Sequence, residues 1–304
     1  KRQVMAMNRQ KILLFLLLTV ICVNLNAQTV KIAIYDIKVS DRLLQRLSAT
    51  EKSALNYFNN ALRVNLESKM SSTKKFSVIA RKDLKLLLKE QQLSQSGLID
   101  FNSDKIAEFG KISGVEYLLM PESISFIDNI ERREIEALER VVEKREISVS
   151  IVSKLYNSTT GKLEETVDSV FNASDSKERN ILSASTKNLV TDNILNDLSS
   201  SLSEHVSLEI TRVVFPPKVI HKKGSQVTIN RNEKSGFSLN QIWDVYEVGE
   251  DLIDPDTGEN LGGSESLIGK IKISRVLPKF SVAEILADEG IAIGSILRKA
   301  KRNE

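Results

Sequence analysis

The chain has 304 residues, of which 41% are hydrophobic and 27% are charged, and its formal net charge is +3. This length predicts two domains, and the apolar content is sufficient for an ordinary buried core. Aromatic residues make up only 5% of the chain and Trp243 is its single tryptophan, which argues against a surface on which nucleic acid bases stack.

The N-terminal residues 1–27 differ from the rest of the chain and predict a signal peptide. Arg9 and Lys11 precede an apolar run from Ile12 to Val23 that is too short to span a bilayer comfortably. We expect cleavage after Ala27, and a short membrane anchor is the alternative. The segment holds four basic residues and no acidic residue, so its removal would change the net charge from +3 to −1. That loss removes the main support for a nucleic-acid partner.

Cys22 is the only cysteine, and it lies within this leader. The chain beyond the leader therefore has neither a disulfide nor a cysteine ligand for zinc. Two interpretations of Cys22 stay open, namely an ordinary apolar residue of the leader or a lipidated N-terminus. Ile21 is bulky where lipoprotein processing needs a small residue, which favours the first interpretation.

The first domain begins with a strand and a long amphipathic helix. From Val30 to Val39, apolar and polar residues first alternate and an apolar run follows, a pattern typical of a buried strand. The segment from Asp41 to Thr50 is expected to be a polar loop. Ser53 to Met70 predicts a helix because its apolar residues recur three and four apart. The predicted buried stripe consists of Leu55, Phe58, Leu62, Leu66 and Met70.

The next segment predicts a strand, two helices and another strand. Phe76 to Ile79 is a short apolar run, and helices are expected over Arg81 to Leu93 and over Asp104 to Ile112. Gly114 ends the second helix, and a new strand opens at Val115. A strand–helix–strand order of this length indicates parallel strands.

A charged segment from Ile130 to Glu146 follows. Its apolar residues Ile135, Leu138 and Val142 recur three and four apart, which favours an exposed helix. A long charged extension of the preceding strand is the alternative.

A hairpin and a long helix complete the first domain. Ile147 to Tyr156 and Lys162 to Phe171 alternate in hydrophobicity around a turn, with Leu163, Val167 and Phe171 sharing a face. Ile181 to Val213 then predicts the longest helix, which the prolines after Phe215 must end. Its inward residues are expected to be Leu189, Ile194, Leu198, Leu202, Val206 and Ile210.

Several motifs of the first domain resemble the CsgG-type assembly/transport family, whose domain also occurs in lipoprotein activators of penicillin-binding proteins. The similar segments are Phe76 to Arg81, Leu87 to Gln91 and Ala107 to Leu119. The resemblance implies a layered α/β (α+β) domain, which we place at residues 28–212. It also implies an outer-membrane pore built from inserted strand hairpins. The corresponding segments here, 130–145 and 172–185, are too charged or polar to face lipid, so we expect the scaffold without the channel.

Short strands and turns after Pro217 predict a second domain at residues 213–304, a small all-β barrel of five or six strands. This domain resembles the C-terminal domain of the flagellar assembly protein T group. The similar segments are Val227 to Asn230, Ser235 to Ser238, Trp243 to Tyr246, Asp254 to Glu259, Ile268 to Ile271 and Ile291 to Ser295.

The sequence shows no nucleophile–base set, and we expect no enzyme activity and no cofactor. His205 and His221 are interpreted as structural or solvated residues, because no catalytic partners are placed beside them. Asp254, Asp256 and Glu259 are a weak calcium candidate. A hairpin turn is the preferred interpretation, since the standard calcium loop has further acidic ligands.

The leader and the resemblance to the CsgG-type family together imply a non-catalytic periplasmic protein, associated with the outer membrane, that helps to assemble or scaffold an envelope complex as a homo-oligomer. A regulator of a cell-wall synthase and a subunit of an outer-membrane secretion channel are the alternatives. Envelope proteins are the expected partners. The expected contact residues are Glu131, Arg132, Arg133, Glu136, Arg140 and Trp243.

Overall fold

The computed structural model describes residues 29–79, 106, 114–180, 193–253, 255 and 260–300. These residues form two six-stranded sheets, each with its own apolar core. The predicted leader with Cys22, most of the two helices expected between residues 81 and 112, and the calcium candidates Asp254, Asp256 and Glu259 lie outside the described residues. Ile106 is helical and fully buried.

The first sheet has the strand order β3-β1-β4-β5-β6, with β2 paired to β4. β1 pairs in parallel with β3 and with β4, so the predicted parallel arrangement is confirmed. β4, β5 and β6 run antiparallel to one another. The strands are β1 Val30–Ile34, β2 Lys38–Val39, β3 Phe76–Ile79, β4 Tyr117–Ile135, β5 Arg140–Asn157 and β6 Leu163–Asn180.

The predicted hairpin around residues 157–161 is confirmed as the β5–β6 connection. Val167 is buried on the expected face, but Leu163 is 50% exposed. The pairing of β5 with β6 shifts register between Leu155 and Tyr156. That shift breaks the period-two alternation, so Leu163 does not share the face of Val167.

Apart from the helical Ile106, the described residues beside this sheet form three helices, α1 Asp41–Arg46, α2 Ala49–Ser72 and α3 Asn193–Val214. The polar loop predicted at the position of α1 is wrong. Ser40 caps α1 by accepting a hydrogen bond from the backbone N–H of Leu43 at 3.4 Å, and Leu43 is buried. At α2, Ser48 and Glu51 form a capping box that satisfies otherwise unpaired N–H groups.

α2 and α3 cover one face of the first sheet. The stripe predicted for α2 is confirmed, because each of its five residues is at most 1% exposed. The predicted stripe of α3 is confirmed from Ile194 to Ile210, while Leu189 lies outside the described residues. Both helices pack onto sheet residues that include Phe126, Val149 and Ile151. The helix α3 ends at Val214, just before the prolines that were expected to end it.

The second sheet has the order β12-β9-β10-β11-β8-β7. The predicted closed barrel is not what the described residues form. The edge strands β12 and β7 have four and five residues and do not pair as neighbouring strands. Their ends are connected by an isolated bridge between Lys218 and Ile296 and by backbone hydrogen bonds such as the one from Val219 N–H to Ser295 O at 2.9 Å. The strand order therefore ends at β7 and at β12 and is not closed into a barrel. The strands are β7 Val219–Lys223, β8 Gln226–Ile229, β9 Ile242–Ile253, β10 Asn260–Val276, β11 Ser281–Asp288 and β12 Ile296–Lys299.

Arg212 on α3 joins the two halves of the protein. Its Nη2 donates hydrogen bonds to the carbonyl oxygens of Ser235 at 3.3 Å and Gly236 at 3.2 Å, and its guanidinium lies 5.8 Å from the ring centroid of Trp243. Gly236 has φ +75°, and a Cβ there would lie 2.0 Å from Arg212 Nη2. Glycine is therefore required both by the backbone and by the arginine.

We predict that Leu62→Ala destabilises the protein by about 2–5 kcal/mol, because Leu62 is fully buried between α2 and the sheet. Val64→Ala, two residues away on the same helix and 53% exposed, is the matched control and should change stability by less than about 0.5 kcal/mol. Urea denaturation followed by circular dichroism measures both. Equal losses in the two variants would contradict the packing described for α2.

Candidate functional site

A three-stranded ribbon extends from the first sheet. We define the ribbon as residues 125–135 of β4, 140–147 of β5 and 173–180 of β6. The pairing of β2 with β4 ends at Ser123, so beyond that point β5 is the only neighbour of β4 among the described strands. A short 3₁₀ turn at Glu136–Leu138 forms the tip.

The preferred helix over Ile130 to Glu146 is therefore wrong, and the alternative of a long charged strand extension is correct. The buried residues of β5 alternate with exposed or half-buried ones, beginning with Val141, Glu143, Arg145 and Ile147. This period of two is a strand signal. It is hidden in the sequence because two of the inward-facing residues are charged.

Opposite charges lie directly across the ribbon strands. Arg132 of β4 pairs in register with Glu143 of β5, and Glu143 pairs with Lys177 of β6. Glu131 and Lys144 form a second opposed pair in the same way. A slip of one residue would break these pairs and reverse both faces, so the charges help to fix the register.

One ion pair of the ribbon is buried. Arg145 donates from Nε to Asp128 Oδ1 at 2.7 Å and from Nη2 to Asp128 Oδ2 at 2.6 Å. The two side chains are only 6% and 7% exposed. The pair lies beside Ile147, a member of the helix-covered core. A bidentate arginine–carboxylate pair of this kind fixes geometry as well as charge.

The predicted contact residues of the ribbon are exposed at or near its tip. Arg132 contacts Glu134 at 3.4 Å, and Arg140 contacts Glu178 at 2.8 Å. Within the described part of the chain, the side chains of Arg133 and Glu136 form neither a hydrogen bond nor an ion pair.

Trp243 does not lie on the surface. It is 1% exposed and stacks on Phe237 with a centroid distance of 4.5 Å and an interplanar angle of 8°. Its Nε1 donates to Gln241 Oε1 at 3.4 Å. Trp243 belongs to the core of the second sheet, so the expectation that it contacts a partner is corrected.

The face of the ribbon that lies opposite the helices contains a shallow cavity of about 490 Å³. Ile127, at 56% exposure, lies among polar side chains there. The polar lining residues are Asn129, Glu146, Ser148, Asn172 and Ser174. The mixture of three apolar residues, Ile127, Ile147 and Ala173, with amides, hydroxyls and a carboxylate is typical of a protein-contact surface rather than of a deep ligand pocket.

The described ranges contain no evident metal site. No group of three or more His, Cys, Asp or Glu residues is placed to hold a metal ion there. His205 lies 5.7 Å from the ring of Phe171 on the edge of α3, and His221 is exposed on β7. None of the described helices combines the length and the hydropathy needed to span a bilayer.

Residues 24–163 match the model of a family described as the curli production assembly/transport component CsgG. The match covers the first sheet up to the start of β6 and includes most of the ribbon. It ends before the second sheet, so the resemblance of that sheet to flagellar assembly protein T stays a prediction. No curated protein matches the chain.

Three solved structures illustrate the structural similarities. The hypothetical protein CT253 from Chlamydia trachomatis is 11% identical, with a TM-score of 0.31, and the alignment covers 62% of this chain and 98% of that one. Lipoprotein GNA1162 from Neisseria meningitidis is 13% identical, with a TM-score of 0.30 and coverages of 59% and 98%. The LpoB C-terminal domain from Escherichia coli is 12% identical, with a TM-score of 0.27 and coverages of 47% and 82%. TM-scores this low establish nothing further about this chain.

We predict that Asp128→Asn destabilises the protein by about 3 kcal/mol, because it leaves the buried guanidinium of Arg145 without its carboxylate. Glu134→Gln removes one partner of an exposed ribbon pair, and we expect almost no change. Thermal denaturation of both variants measures the difference. A loss for Asp128→Asn no larger than that for Glu134→Gln would show that the buried pair is not structurally important.

Proposed function

We propose that this protein is a non-catalytic component that assembles or scaffolds a complex of the cell envelope through protein contacts. The observation that carries the proposal is the match of residues 24–163 to the curli production assembly/transport component. The ribbon supports it, because most of the ribbon falls inside the matched residues and projects exposed charges from a rigid sheet.

The tip of the ribbon is the proposed contact surface. Arg133, Glu136 and Glu139 are exposed, and in the described structure their side chains have no ionic partner. Charges of this kind can pair with a complementary surface without first breaking an internal ion pair. Such contacts chiefly set specificity and association rate.

We further propose that the protein is exported to the periplasm, associates with the outer membrane and forms a homo-oligomer. Export is supported by the leader-like composition of residues 1–27. Cell fractionation with N-terminal sequencing tests it, since a mature N-terminus at Gln28 indicates cleavage and a modified Cys22 indicates lipidation. A protein that retains the leader in the cytosol would contradict export. Light scattering of the purified protein gives the oligomeric mass.

We predict that alanine at Arg133, Glu136 and Glu139 together lowers formation of the envelope complex about tenfold without changing stability, a loss that corresponds to one or two weak ionic contacts. A photoreactive residue at Leu138, which is 62% exposed at the tip, would report the contact by crosslinking in intact envelopes. Loss of the specific adduct in the alanine variant is the expected result.

The matched control replaces Lys223, Glu247 and Glu284 with alanine. These residues are exposed on the second sheet, and their replacement changes the net charge by the same amount. The proposed contact surface would be contradicted if crosslinked adducts still formed in the variant with alanine at Arg133, Glu136 and Glu139. It would also be contradicted if the control variant lost the adducts to the same extent. Ion conductance across planar bilayers would instead indicate a channel, and altered glycan polymerisation by a purified synthase would indicate a regulator.

A further inference from the structure

A cavity of about 370 Å³ lies where α2 and α3 meet the second sheet. Five of its lining residues are cationic and only one, Glu204, is acidic. The cations are Lys69, Lys75, Arg212, Arg231 and Lys234. They come from both halves of the protein, so the fold itself concentrates positive charge at this place.

The cavity's charge is only partly neutralised. Glu204 pairs with Lys69 at 3.0 Å, and Glu209 of α3 pairs with Arg212. No carboxylate of the described residues forms an ion pair with Lys75, Arg231 or Lys234. Lys75 Nζ lies 5.2 Å from the ring centroid of Phe215, but no carboxylate of the described residues neutralises the three cations.

The electrostatics of Lys75 agree with this geometry. Burial, together with the positive charge of Arg231, lowers the pKa of Lys75 to about 8. Burial also lowers the pKa of Arg231. A cation that is held in a cavity despite such a penalty is a common feature of binding sites.

One donor group of the cavity also lacks an acceptor. Arg212 Nε is buried and has no hydrogen-bond partner in the described structure. Arg231 uses Nη1 and Nη2 on the carbonyl oxygens of Asn230 and Phe215, so these bonds hold its guanidinium in place. The site thus offers fixed guanidinium groups beside lysine ammonium groups, a combination that suits an oxyanion.

We propose that this cavity binds a phosphate group. A phosphate dianion presents several acceptor oxygens and two charges, which serve the unpaired cations better than a single carboxylate does. The volume exceeds that of one phosphate, so the ligand class is inorganic phosphate or a small phosphomonoester such as a glycerol or sugar phosphate.

Binding is expected to depend on pH through Lys75. The charged groups that face Lys75 in the cavity are Lys69, Glu204 and Arg212 from the helices, and Arg231 and Lys234 from the second half. A bound anion favours the protonated amine and raises the pKa of Lys75. The contribution of Lys75 to phosphate affinity therefore falls as the pH rises above about 8, and protonation of the phosphate dianion weakens binding at acidic pH.

Isothermal titration of the full chain with inorganic phosphate and with glycerol phosphate tests the proposal. We expect binding of both, and a loss of about tenfold or more in Lys75→Met and in Lys234→Met, because each removes a charge-assisted hydrogen bond. Lys52→Met is the matched control, because Lys52 is exposed at the other end of α2. Vesicles containing phosphatidylglycerol distinguish a lipid headgroup from a free phosphate.

The proposal is supported if Lys75→Met and Lys234→Met lose phosphate binding while Lys52→Met keeps it. Absence of phosphate binding to the native chain, or unchanged affinity in a Lys75→Met, Lys234→Met double variant, would overturn it. Vesicle binding that millimolar phosphate does not displace would also overturn it, since that result indicates surface attraction alone.

Stability measurements distinguish a variant that has lost only the binding site from a variant that is misfolded. The native pKa of Lys75 is below the unfolded value of 10.5, so the unfolded state binds more protons between about pH 8 and 10.5, and stability should rise across that interval. Without phosphate, Lys75→Met should be at least as stable as the native protein at pH 7 and should lose this rise. A destabilised variant that keeps the rise would show that Lys75 is not the titrating group.

Discussion

The structure depends on the cover that two helices provide for one face of the first sheet. α2 and α3 each bring an apolar stripe to that face, and the largest continuous core of the protein lies beneath them. A sheet with an uncovered apolar face would not be stable in water. The ribbon, which continues from this sheet, is therefore placed relative to these two helices.

The ribbon is the part of the first sheet that extends beyond the two covering helices. Apolar residues continue along β5 as far as Ile147, and the next inward position is Arg145, paired with Asp128. Beyond it, cross-strand charges act together with one buried apolar residue of β5, Val141, to fix the pairing. The ribbon is thus polar on its surface and still has a single register, which allows it to present charges in a defined arrangement.

The sequence predicts those elements whose period is carried by apolar residues. The stripe of α2 and the hairpin after β5 were predictable for this reason, and the end of α3 was predictable from the prolines that follow it. Two failures have the opposite cause. The strands around Glu143 and Arg145 keep charged residues at inward positions, and α1 buries only Leu43, so neither gives a clear apolar period. The prediction that Trp243 contacts a partner was wrong, because a single aromatic residue in a sequence does not indicate whether it faces a partner or a core.

The contact between Arg212 and Gly236 has a mechanical consequence. An arginine rooted in a long helix and held by two carbonyl oxygens across the junction resists both rotation and separation of the halves. Tension applied at one end of the molecule would then be transmitted to the other end instead of being absorbed at a hinge. We therefore expect the two halves to move together rather than independently of each other.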